Sequence, residues 1–145
     1  MSQPDDAEGG PSIRLILDAS AICAFGLHET VGEIIGDFDG EMEAFAVTTA
    51  SLAEALALGA DVGLVDILRT NTNCVVTAAT FDWRGLGRFM DLTRPEPNAL
   101  HDLADSDLTM LAVRTDAFIL TGQPDRYTKI LPSVITIQLQ EPWPD

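Results

Sequence analysis

Five short apolar runs, at residues 13–17, 44–48, 74–77, 117–121 and 133–139, recur along the chain with helical stretches between them. This alternation limits the fold more than any other feature. Strands joined through helices lie parallel in one sheet, because the crossover must carry the chain back to the same end before the next strand begins. Helices then cover both faces, and the strands between them read as nearly continuous apolar runs. The expectation is an α/β fold, a three-layer α/β/α sandwich around a mainly parallel central sheet of about five strands. Asp18 and Ser20 are placed to cap a helix reaching residue 25. Further helices are expected over 29–38, 50–59, 62–69, 81–92 and 99–115, with a short one after Pro124. Gly85 and Gly87 weaken the helix at 81–92, and Pro95 and Pro97 break the chain behind it. No internal repeat and no Gly-rich phosphate loop is present, which argues against P-loop and dinucleotide-binding folds.

A chain of 145 residues that is 46% apolar and 21% charged has enough material for one hydrophobic core. We expect a flexible acidic N-terminal tail (1–12), one domain (13–140) and a short C-terminal tail (141–145). No apolar stretch approaches the roughly 20 residues of a membrane helix, and the acidic start lacks the basic and apolar regions of a signal peptide. A cytoplasmic protein without membrane contact is expected. Cys23 and Cys74 lie in apolar surroundings without the short spacing of a zinc or redox pair, and read as reduced core residues.

The net charge of −15, against eight basic residues, excludes nonspecific gripping of a polyanion. Any nucleic-acid contact must be local. Arg84, Arg88 and Arg94 form the nearest approach to a basic cluster, and Arg84 and Arg88 are the candidate phosphate contacts. Asp82, Asp91 and Glu96 are interspersed with them, as on an ordinary mixed-charge surface.

Three carboxylates stand in apolar settings. Asp18 ends the first strand, Glu54 has Ala50, Ser51, Ala57 and Leu58 as its helical neighbours, and Asp105 opens the apolar segment leading to the fourth strand. Individually they admit plainer readings: a helix N-cap, a solvated helix position and an acidic first turn. Together, carboxylates brought into one site are stabilised by a hard divalent cation, and Mg²⁺ or Mn²⁺ is the expected cofactor.

In this combination the chain resembles the PIN-domain family of metal-dependent ribonucleases, which includes the VapC-type toxins. The resemblance rests on Leu15-Ile16-Leu17-Asp18-Ala19-Ser20, on Thr49 to Leu56 around Glu54, and on Ala104-Asp105 leading through Leu108, Leu111 and Ala112 to Phe118-Ile119-Leu120-Thr121. It implies that Asp18, Glu54 and Asp105 are catalytic metal ligands cutting RNA, single-stranded or structured, with Ser20 and Thr121 hydrogen-bonding around them. The family places an Asp or Asn two residues after the strand-ending Thr, where this chain has Gln123. Asp125, two residues further on, is the candidate replacement, and Gln123 can still bond a metal-bound water. His28 and His101 match none of the motifs. A toxin-like chain this acidic also suits a basic antitoxin-like protein partner, since complementary fields speed association, and apolar candidates on 29–38 and 62–69 suit a homodimer. With the fourth acid missing and little basic surface, the alternative is a catalytically degenerate PIN-like module that binds a protein or regulates.

Overall fold

The computed structural model describes residues 12–27, 29–39, 43–78 and 82–139. The expected tails, His28 and the expected helix start at Phe81 lie outside the described residues, except that Ser12 is described and its carbonyl accepts from Ala44 N at 2.9 Å. In chain order the elements are β1 (Ile13–Leu17), α1 (Ala19–Ala24), α2 (Glu29–Asp39), β2 (Ala44–Thr48), α3 (Thr49–Ala57), α4 (Val62–Arg69), β3 (Cys74–Thr77), α5 (Trp83–Leu92), α6 (Leu103–Thr115), β4 (Phe118–Thr121), α7 (Asp125–Thr128) and β5 (Thr136–Gln138). The sheet runs β3-β2-β1-β4-β5, and every pairing is parallel, so the expected mainly parallel sheet is parallel throughout.

Alternation along the strands splits the core into two layers. Leu15, Leu17, Phe45, Val47 and Leu120 point to one face, where Ile22, Val31, Ala55, Val65 and Leu68 of four helices cover them. Ile16, Ala46 and Ile119 point to the other, beneath Leu108 and Ala112 of α6 and Tyr127 of α7. With both faces buried, β1 and β2 hold side chains that would each cost about 1.5–3 kcal/mol to expose. This is the expected three-layer α/β/α sandwich.

The expected helix 99–115 and the expected strand 133–139 are both shorter than their patterns. The segment 99–102 is not helical: Ala99 N bonds Glu96 O at 3.1 Å in a turn after Pro95 and Pro97, and α6 starts only where Asp102 accepts from Asp105 N at 3.1 Å. Strand β5 covers three residues rather than seven, because Leu131 to Ser133 still belong to the turn leaving α7.

On α4, Val65 and Leu68 are buried and Val62 and Ile67 are exposed. Cys23 and Cys74 are free thiols packed at the edge of the larger core layer. Among the described residues no helix is long and apolar enough to cross a membrane.

The strand order reverses between β1 and β4: the chain walks outward through β2 and β3, then returns to the opposite side of β1. Such a reversal opens a crevice beyond the carboxyl ends of the two strands. Asp18 follows β1 directly and Thr121 ends β4, so both stand at that crevice.

Candidate functional site

Asp18 is fully buried, and its backbone position as N-cap of α1 is set by the end of β1. One carboxylate oxygen, Oδ1, accepts from Ala21 N at 3.0 Å and from Ser20 Oγ at 2.6 Å. The other, Oδ2, accepts from Thr121 Oγ1 at 2.6 Å and from the Tyr127 hydroxyl at 2.7 Å. A carboxylate offers about four lone-pair directions, and here four donors take them. The same hydroxyls lock the crevice: Ser20 Oγ accepts from Gly122 N at 2.9 Å and Thr121 Oγ1 from Gln123 N at 2.8 Å. Tyr127 holds its proton far more firmly than a free phenol, first because it is buried and then because Asp18 faces it.

Glu54 projects from α3, whose start is fixed by Thr48 accepting from Ser51 N at 3.0 Å. Asp105 lies in the first turn of α6 and is 6% exposed. Between them stands Arg126 of α7. Its Nη2 donates to Glu54 Oε1 at 3.0 Å, to Glu54 Oε2 at 3.1 Å and to Asp105 Oδ1 at 2.7 Å. Its Nε adds a second bond to Asp105 Oδ1 at 3.0 Å, and Nη1 reaches Gln123 Oε1 at 3.2 Å. Burial works against the guanidinium's charge, but Asp105 first and then Tyr127 and Glu54 outweigh it and keep Arg126 protonated beyond its ordinary range. Burial raises the Asp105 carboxyl, and the hydrogen bonds from Arg126 pull it back in part.

The expected residues therefore divide. Asp18, Ser20 and Thr121 form one hydrogen-bonded group with Tyr127, and Glu54, Asp105 and Gln123 form another around Arg126. Asp125 is exposed on the first turn of α7, outside both groups. Arg84 and Arg88 are exposed on α5, and Arg84 stacks over Trp83 at 4.8 Å from the ring centre. The neighbouring acid Asp82 is paired with Arg114 of α6, and Asp91 with Arg94 at 3.0 Å, so that surface carries mixed charge. Neither Arg126 nor Tyr127 was singled out by the sequence reading. The signal was available: an arginine and the chain's single tyrosine sit three and four residues after the slot where the fourth acid is missing.

A divalent cation needs carboxylate oxygens with free lone pairs at about 2.0–2.2 Å for Mg²⁺. The arrangement described here does not fit one. Three carboxylate oxygens meet at Nη2 of Arg126, where an ion would have to sit, and Asp18 is saturated by neutral donors. Among the described residues no group of three or more His, Cys, Asp or Glu side chains is arranged to hold a metal ion.

Beside Arg126 and Gln123 opens a cavity of about 290 Å³, walled largely by apolar side chains that include Ile22, Phe25, Leu27, Leu58 and Leu64. Leu27 and Leu58 are themselves well exposed at its rim.

No family model and no curated protein matches the chain. Among solved structures, a chain of the structure described as FitAB bound to an IR36 DNA fragment matches with a TM-score of 0.50 over 88% of this chain and 98% of that one. At 13% identity this likeness speaks for the fold alone.

Proposed function

We propose that the protein is a cytosolic PIN-like module that acts by binding a basic protein partner, with its carboxylate site neutralised from within. The observation that carries this reading is the Arg126 guanidinium seated among Glu54, Asp105 and Gln123. A guanidinium balances charge as a cation does, but it offers no water a lowered pKa and polarises no phosphate as a Lewis acid. The net charge of −15 and an apolar cavity with exposed leucines at its rim support an amphipathic, basic partner, since complementary fields speed association.

The second reading is a metal-dependent ribonuclease with Mg²⁺ or Mn²⁺ on Asp18, Glu54 and Asp105. It is favoured by one observation, the delivery of all three acids to the carboxyl-end side of a parallel sheet. It requires Arg126 to leave its three acceptors. Labelled single-stranded RNA incubated with Mn²⁺ or Mg²⁺ separates the two, with Asp18→Asn purified identically as control. The binding-module reading expects no chelator-sensitive cleavage that distinguishes wild type from the variant. Cutting by wild type alone, abolished by chelator, would overturn it.

A further inference from the structure

We infer that Arg126 is a built-in cation that stands in for the divalent ion of this site, so that removing its charge uncovers a latent binding site for Mn²⁺. The inference deepens the closed-site reading above and rests on it. Nη2 alone receives two oxygens of Glu54 and one of Asp105 within 3.1 Å, and Nη1 takes Gln123. Four oxygens from three separate segments cup one positively charged group. Such a cup has no purpose for a single charge on a flexible surface side chain, and Arg126 is not one: only 21% of its side chain is exposed. Its backbone is fixed by the short helix α7, where Arg126 N bonds Gln123 O at 3.0 Å and the buried Tyr127 anchors the next position on Asp18.

The chemistry of the donor set decides which cation would follow. Two carboxylates and an amide oxygen are hard ligands, suited to Mg²⁺ or Mn²⁺ retaining several waters. Arg126 already brings the cup one positive charge. A divalent ion therefore gains little while Arg126 is present and must displace a group held by five hydrogen bonds. With the guanidinium gone, two acids face each other without compensation, and the ion becomes the partner that relieves them.

Mn²⁺ binding to the full chain, measured by calorimetry, tests this directly. Wild type should bind no stoichiometric Mn²⁺ in the millimolar range, whereas Arg126→Gln should bind one ion at least about tenfold more tightly. Adding Glu54→Gln to Arg126→Gln should abolish the gain. The unfolding temperature supplies a second readout, because Mn²⁺ should raise it for Arg126→Gln and leave wild type unmoved. If Arg126→Gln fails to fold, the Arg126 Nε–H resonance of wild-type protein still decides: it should be slow to exchange and unshifted by millimolar Mg²⁺. A resonance that moves or broadens on addition of Mg²⁺ would overturn the inference, as would equal Mn²⁺ affinity in wild type and variant. No binding by a folded Arg126→Gln would remove the latent site while leaving the partner-binding reading standing. Tight binding by wild type would sink both.

Discussion

A carboxylate at the end of a central strand must be satisfied where it stands, and Asp18 accepts from three hydroxyls and one backbone amide. Tyr127 is the most distant of these donors in sequence, so it ties α7 to the start of the fold. Tyr127→Phe should keep the secondary structure and lower stability by about 1.5–3 kcal/mol, the usual cost of losing a hydrogen bond to a charged group. Urea unfolding followed by circular dichroism measures it, and an unchanged midpoint would mean that this bond contributes nothing.

The thiols give a second residue-scale prediction. Burial lifts Cys74 from 9.0 to about 11, and burial, then Asp18 and Glu54, raise Cys23. Between pH 9 and 11 the unfolded Cys74 has lost a proton that the folded one keeps, so its contribution to stability, full below 9, should fall as pH rises. Iodoacetamide should label the folded protein near pH 8 far more slowly than the urea-unfolded chain, as followed by mass spectrometry. At this scale the acids were legible, because a carboxylate in apolar sequence stands out. Arg126 was not: its partners lie 72 and 21 residues away, and nothing local tells an inward arginine from a solvated one.

Among the elements, strands were the easiest to read, since β2 is apolar on both faces, β1 is apolar apart from Arg14, and both are bounded by helix-capping residues. Helix starts were harder. The pattern from Ala99 runs helical, but a helix begins where its amides find an acceptor, and here that is Asp102. Asp102→Ala should therefore cost about 1 kcal/mol in chemical denaturation. It should also loosen Asp105, whose amide this cap holds; a cost near zero would show that Arg126 alone fixes the first turn of α6. Gly85 weakens α5 as an isolated helix, and a Cβ there would meet the carboxylate of Asp82 and the guanidinium of Arg114, flexible side-chain ends that can shift.

Taken whole, the molecule is a fully parallel sheet with helices on both faces and a crevice at the β1/β4 reversal, an architecture legible from strand–helix alternation. Its charge of −15 also bears on the site, since any added acid raises the cost of leaving Glu54 and Asp105 unpaired. The point between those two acids holds the Arg126 guanidinium. A crystal structure of the wild-type protein grown with millimolar Mn²⁺, with data collected for the anomalous signal of manganese, reads that point directly. The guanidinium of Arg126 should bridge Glu54 and Asp105 with no anomalous peak between Asp18, Glu54 and Asp105. A manganese ion bound there, with Arg126 turned away, would contradict the account and return the site to metal-dependent chemistry.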